Sequence, residues 1–239
     1  MDIGARLGAA YDFVRPGAVV YDIGSDHGYL PASLIMDGVC PRAVVTDINS
    51  GPLDRAVQTF TDNKITEKVD FFLTGGLSGL SVPGDTPTDI CICGMGGELI
   101  SSILKDALEG DLFGDETDVH FILQPMSRVW ELRRFLWNSG FEIKAEEFAS
   151  EGDKVYCVMS VFYTGRTSAY TEAELYIGKR EGRALSADAL LYFEKTLVSL
   201  EKKRDGKKLG GADTVYEDEI IGEILEETQY MNRNISDKE

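Results

Sequence analysis

The stretch Asp22-Ile-Gly24-Ser25-Asp26-His27-Gly28 sets two glycines, two carboxylates and an imidazole between an apolar run and a helical pattern. Glycines at such a junction let the backbone turn tightly and approach a ligand closely. The stretch departs from the GxGxxG of dinucleotide-binding loops, because Asp26 stands where the second glycine would be and puts negative charge where a pyrophosphate would sit. A ligand with positive charge and no phosphate suits it better, and S-adenosylmethionine, with its sulfonium and ammonium groups, has that character. A plain strand-to-helix turn with a capping aspartate is the simpler alternative.

Asp47 follows Asp22 by 25 positions, at the end of a second apolar run, where a carboxylate can accept hydrogen bonds from both ribose hydroxyls or cap the next helix. Cys93-Gly94-Met95-Gly96-Gly97 closes another run and opens a helix, a pattern that brings main chain close to a bound molecule. Gln124-Pro125-Met126 ends a later run and offers polar groups to an acceptor, or is a strand-ending proline turn. Lys202-Lys203-Arg204-Asp205-Gly206-Lys207-Lys208 is the one basic cluster, able to neutralise a few phosphates or to keep a loop solvated.

The elements that must position these residues alternate. Val19–Ile23, Ala43–Asp47 and Ile90–Cys93 read as strands buried on both faces of a parallel sheet, and the alternation continues with strands at Val69–Thr74 and Val119–Gln124. Helical patterns fall between them at Leu30–Asp37, from Pro52 onward, at Glu98–Leu108 and at Val129–Asn138, the last stopped by Gly140. Phe141–Phe148 and Lys154–Tyr163 follow with no helix between them, a closing antiparallel hairpin turning at Ser150–Asp153. The alternation implies right-handed crossovers and a doubly wound, Rossmann-like α/β sheet over residues 1–164. Residues 165–239 change character: helices are expected at Glu172–Arg183, Ala187 to about Arg204 and Val215–Glu227, with a polar break at Asp205–Asp213 and a frayed tail after Tyr230. Apolar positions from Leu190 to Leu200 and from Ile220 to Leu225 suit the seam of a helical, coiled-coil-like hairpin.

The chain has 239 residues and a formal net charge of −17, with 12 basic and 25 acidic side chains in residues 1–164. That balance argues against unspecific attraction to nucleic acid. No window approaches the ~18 apolar residues of a membrane span and no signal sequence is visible, so a cytoplasmic protein is expected. Cys40, Cys91, Cys93 and Cys157 form no CxxC pair and, with two histidines, make no zinc-ligand set; they read as buried thiols, and no metal is expected.

Asp22-Ile-Gly-Ser-Asp-His-Gly-Tyr-Leu-Pro31, Asp47-Ile-Asn-Ser-Gly-Pro52, Gly94-Met-Gly-Gly97 and Leu123-Gln-Pro125 together resemble the bacterial TrmK family, whose members are tRNA (adenine-22-N1)-methyltransferases. The resemblance runs from Arg6 to the helical tail. It implies an S-adenosylmethionine-binding domain followed by a helical domain that helps hold tRNA. The implied donor contacts are Asp22, Gly24, Ser25, Asp26, His27, Gly28, Asp47, Ile48, Gly75, Gly76, Gly94, Met95 and Gly96. N1 of adenine has a lone pair that can attack the donor methyl, and positive charge develops on the base, so positioning and a nearby carboxylate matter more than a strong base. Asp26 is the first candidate for that carboxylate, with Gln124, Tyr29 and His27 positioning the base, Pro125 on the acceptor side, Arg6 touching the acceptor or the tRNA backbone, and the basic cluster gripping tRNA.

Three positions depart from that family's pattern. Thr74-Gly75-Gly76-Leu77 lacks the aspartate of the usual Gly-Asp-Gly-Leu, Met126 replaces an asparagine, and Cys157 follows Tyr156 where a glutamate is expected. They leave open a donor-binding protein without turnover, as the acidic first part leaves open a small-molecule or protein acceptor; an NAD-dependent oxidoreductase is disfavoured by the missing GxGxxG.

Overall fold

The computed structural model describes every residue except 85, 113–117, 182, 184 and 237–239. Seven strands form one sheet in the order β3-β2-β1-β4-β5-β7-β6. Strands β1 (Val19–Ile23), β2 (Ala43–Asp47), β3 (Val69–Leu73), β4 (Thr88–Gly96) and β5 (Val119–Ser127) are parallel; β7 (Lys154–Tyr163) runs antiparallel to β5 and to β6 (Phe141–Glu151). The chain reverses its outward march between β3 and β4, which leaves the ends of β1 and β4 side by side and opens a crevice at their carboxyl ends.

Apolar residues on alternate sides of the strands create two cores. One face, with Val20, Val45 and Cys91, is covered by α1 (Gly4–Phe13), α2 (Tyr29–Met36) and α3 (Ser50–Asp62), through residues such as Ala10, Leu34 and Phe60. The other, with Tyr21, Ile90 and Phe121, is covered by α4 (Gly97–Glu109) and α5 (Val129–Asn138) through Ile100, Leu104, Leu132 and Leu136. Cys91 and Cys93 share the first face as expected from their spacing, and all four cysteines are free thiols.

The apolar cluster on the second face continues across residue 164 into α6 (Glu172–Ile177), α7 (Ala187–Leu209) and α8 (Val215–Ser236), taking in Ile177, Phe193, Leu197, Ile220 and Ile224. Leu191 and Leu225, placed in the seam by their spacing, are exposed instead. Beneath this junction the buried Arg133 and Glu146 pair at 2.8 Å, and Arg133 also donates to the carbonyls of Leu175 and Tyr176. Cys157 lies against both, so its departure from the family pattern falls in packing, away from the crevice.

Three expectations need correction. The helix expected over Glu172–Arg183 stops at Ile177, because Gly178 turns out of it at φ 76° and Arg183 instead bridges to the sheet beside Glu146. The break expected at Asp205 begins only at Gly210, since one glycine, Gly206, inside a long helix costs about 1 kcal/mol and the packed turns around it outweigh that. The last helix continues past Tyr230 to Ser236, anchored by the fully buried Met231.

Candidate functional site

The carboxyl ends of β1, β2, β3 and β4 frame a cavity of about 740 Å³, lined by Gly24, Asp47, Ile48, Thr74 to Leu80, Met95 and one face of α4. Its floor depends on Gly24. The main-chain N–H groups of Gly24 and Ser25 both donate to the Thr46 carbonyl at 2.9 Å, and the turn this makes holds Gly24 at φ 73°. A Cβ there would come within 2.0 Å of the Met95 methyl, so the glycine leaves the space that Met95 and a ligand share.

Asp47 closes one end of the cavity. One of its oxygens accepts the Asn49 main-chain N–H at 2.7 Å, and no other hydrogen bond to this carboxylate forms among the described residues. It is therefore a turn-former with a spare oxygen facing the cavity rather than a helix cap. Behind the loop, Asp22 is buried; burial raises its carboxyl to about 6, partly offset by a hydrogen bond with Ser25. These groups fit an adenosine with a cationic tail: a spare carboxylate for ribose hydroxyls, apolar Ile48 and Leu99 at the rim, and glycine-lined main chain in place of a phosphate-binding basic group.

Asp26 stands elsewhere. Its side chain is exposed, pairs with the Arg55 guanidinium of α3 and lies 3.5 Å from His27 Nε2, outside the lining of the cavity. The sequence offers no warning of this, since Arg55 lies 29 positions on, in the second helix after the loop. Ser25, His27 and Gly28 also lie outside the lining, while the rings of His27 and Tyr29 stack at 4.9 Å and 10° as an exposed platform.

Gln124 is fully buried. Its Oε1 accepts from Arg6 Nη1 at 2.5 Å and from the Gly94 N–H at 3.0 Å, and its Nε2 donates to the Pro125 carbonyl at 3.0 Å and to the Met126 sulfur at 3.6 Å. Arg6 comes from α1, a helix that the sequence pattern did not reveal because it is short and weakly amphipathic. Besides Gln124 it reaches Glu151 at 3.8 Å and lies over the Tyr156 ring. Gly94 and Met95 line the turn, and Gly96 lies near Ser127, whereas Gly97 is required for packing: a Cβ there would meet the Arg128 carbonyl at 2.5 Å.

The basic run occupies the last turns of α7, and its charges are mostly committed. Lys203 and Lys207 reach Glu217 at 3.1 and 2.7 Å, and Arg204 reaches Asp205 and Asp218 at 2.8 and 3.7 Å. Lys202 and Lys208 alone in the run make no ion pair among the described residues. Sequence reading missed a different surface, a groove of about 470 Å³ between α5 and α7 lined by Arg128, Trp130, Tyr176, Tyr192, Lys195 and Lys203. Trp130 and Tyr176 stack there at 6.0 Å, and Arg128 follows Ser127 directly at the end of β5. Its residues come from α5, β7, α6 and α7, up to about 75 positions apart, so no local motif marks it. Among the described residues no cluster of potential metal ligands occurs and no helix is long and apolar enough to cross a membrane.

Residues 3–159 match the methyltransferase domain family. Over its full length the chain is 27% identical to the tRNA (adenine(22)-N(1))-methyltransferase of Bacillus subtilis, covering 94% of that protein. It superposes with a TM-score of 0.77 and 29% identity on a Streptococcus pneumoniae structure, provisionally assigned as a tRNA (m1A22) methyltransferase and bound to S-adenosyl-L-methionine, over 92% of this chain and 98% of that one. A Streptococcus agalactiae protein of the NADB-Rossmann superfamily gives a TM-score of 0.77 at 26% identity, with 97% of each chain covered.

Proposed function

This chain belongs to the methyltransferase domain family, and from that premise we propose that it transfers the methyl group of S-adenosylmethionine to N1 of adenine 22 in tRNA. The observation that carries the reading is the site itself: the Asp47 end of an adenosine-sized cavity, the Gly94–Met95 turn and the Gln124–Pro125 main chain lie together at the carboxyl ends of the central strands, in a chain similar to a tRNA methyltransferase along its whole length.

S-adenosylmethionine supplies the activated methyl: its S–CH₃ bond breaks with the electron pair going to sulfur, while the adenine N1 lone pair forms the new N–C bond. The base becomes cationic and needs no prior deprotonation. The protein's task is therefore placement and electrostatics. Asp47, Gly24, Ile48 and Met95 hold the donor; Arg6 and Gly94 fix Gln124, whose Nε2 orients the Pro125 carbonyl, a main-chain acceptor that keeps a lone pair for the amino group of the adenine. The net negative field favours a cationic product.

Residues 1–164 carry donor and acceptor chemistry, and 165–239 contribute tRNA contacts. The groove leading away from Arg128 suits an unpaired stretch beside the target base, with rings for stacking and cations for phosphates. The Arg128 ion pairs with Glu98 and Glu131 lie at the surface and exchange for phosphates at little cost, as surface pairs do, whereas Lys203 is held by the buried Glu217. The work of such an enzyme places it in the cytoplasm.

Incubation with radiolabelled S-adenosylmethionine and unmodified bacterial tRNA tests the reading. Label at N1 of adenine 22, lost with Asp47→Ala, is the expected result. Donor binding with no label in tRNA would overturn it.

A further inference from the structure

The donor cavity has one charged side chain that nothing described so far employs. Asp106 lines it from α4, with Ser102 one turn earlier on the same face. No hydrogen bond or ion pair to the Asp106 carboxylate forms among the described residues, and no Lys, Arg or His lines the cavity with it. The adjacent Lys105 is turned to Glu109 at 3.7 Å.

A chain of contacts orders the elements around the cavity from Asp47 to the part of α4 that carries this carboxylate. The Thr74 main-chain N–H donates to the Asp47 carbonyl at 3.0 Å, which sets the loop after β3 beside the ribose end. Gly75 follows, its Cβ direction 3.5 Å from the Ile48 side chain. Gly76 is next, its Cβ direction 3.1 Å from Ile103, which lies between Ser102 and Asp106 in the sequence of α4. The order therefore runs from the sugar carboxylate, past an apolar face of Ile48 and glycine main chain, to a hydroxyl and a free carboxylate. That is the order of groups an adenosine presents: ribose hydroxyls, ring face, amino edge.

Resting on the donor assignment above, we propose that Asp106 is the residue that selects adenine in the donor, its carboxylate accepting a hydrogen bond from the 6-amino group with the Ser102 hydroxyl beside it. Gly75 and Gly76 offer only main chain at this end, which leaves Asp106 of α4 as the charged side chain of the cavity beyond Asp47. A carboxylate there is attracted to an amino group and repels a 6-oxo group, and sites built on such a polar contact reject the wrong partner strongly.

Calorimetry on the full chain with S-adenosylhomocysteine and its 6-oxo analogue S-inosylhomocysteine reads this directly, without turnover. The wild type should prefer the 6-amino ligand by at least about tenfold. Asp106→Ala, an exposed helical position where alanine is well tolerated, should bring the two affinities within about twofold while the circular dichroism stays unchanged. Asp106→Asn should narrow the preference, because its amide accepts from an amino group and donates to an oxo group. An unchanged preference in Asp106→Ala, with both ligands still bound, would overturn the role of Asp106 alone. Failure of the wild type to bind S-adenosylhomocysteine would overturn the donor assignment and this inference with it.

Discussion

Arg6 and Gln124, 118 positions apart in sequence, meet at 2.5 Å, and the oxygen they share also accepts the Gly94 N–H at 3.0 Å. One side-chain oxygen thus ties α1 and the β4 turn to the end of β5. Arg6→Ala leaves the Gln124 oxygen held by the Gly94 N–H alone, and the amide that orients the Pro125 carbonyl is less firmly fixed. We expect kcat on tRNA to fall about tenfold or more, the consequence of losing a charge-assisted hydrogen bond of about 1.5–3 kcal/mol, while S-adenosylhomocysteine affinity stays within about twofold. Arg6→Lys should recover part of the rate. Equal losses in binding and turnover would show that Arg6 supports the donor pocket instead.

Gly24→Ala tests the cavity floor. The new methyl would need the Met95 side chain to swing away and would hold alanine at φ 73°, a cost of about 1–2 kcal/mol. Donor affinity should drop by more than about tenfold, with a modest fall in the urea midpoint. Unaltered binding by calorimetry would place the donor elsewhere.

The parallel strands, the hairpin and the loops at their carboxyl ends were legible because buried strands read as unbroken apolar runs and because Asp22, Asp47 and the Gly94–Gly97 turn fall at run ends. Two kinds of information were hidden. One is which way a polar side chain turns: Asp26 and Asp47 look alike as loop carboxylates, but Arg55 draws Asp26 outward, whereas Asp47 keeps an oxygen at the cavity. The other is what distant elements bring together. Arg6 on α1, Asp106 on α4 and the Trp130–Lys195 groove have no motif, since each acquires its role from a neighbour tens of residues away. Helix ends in the last part were misread for a third reason: Gly206 and Gly178 are chemically the same signal, and tertiary packing overrides the first but not the second.

The raised Asp22 carboxyl makes stability depend on pH. Unfolded, it ionises near 3.8; folded, it holds its proton to about 6. Its stabilising effect is complete below 3.8 and is lost as pH rises through 6, where a buried charge must be carried, a difference of about 3 kcal/mol for a shift of about two units. Asp22→Asn should match the wild type at pH 4 and exceed it in chemical denaturation at pH 7.5. Equal stability at both pH values would mean that the carboxylate is solvated in the folded chain.

Glu146→Ala should destabilise the protein by about 3–5 kcal/mol, since it strands the buried Arg133 that also secures α6 through the Leu175 and Tyr176 carbonyls. Replacing both partners, as Arg133→Met with Glu146→Leu, should cost clearly less than Glu146→Ala, because no charge is then left uncompensated. Denaturant titration of the two variants decides the matter. If the pair variant is as unstable as the single one, the hydrogen bonds to α6 carry the junction, and the ion pair is secondary.

The groove and the basic run make different demands on tRNA binding. Trp130→Ala and Lys195→Ala should each raise the KM for tRNA several-fold without moving S-adenosylhomocysteine affinity, because they line the path from the end of β5. Lys202→Ala with Lys208→Ala removes the two cations of the run that α8 does not occupy, and should flatten the slope of log affinity against log salt by up to about 2. Lys203→Ala should act more weakly than Lys195→Ala, since removing it also frees Glu217 to be held by Lys207 alone. Filter binding across a salt series separates the two surfaces: a KM effect from the groove with an unchanged salt slope from the run would assign tRNA recognition to stacking and shape beside the active site, and would leave the tip of the helical hairpin a solvated end.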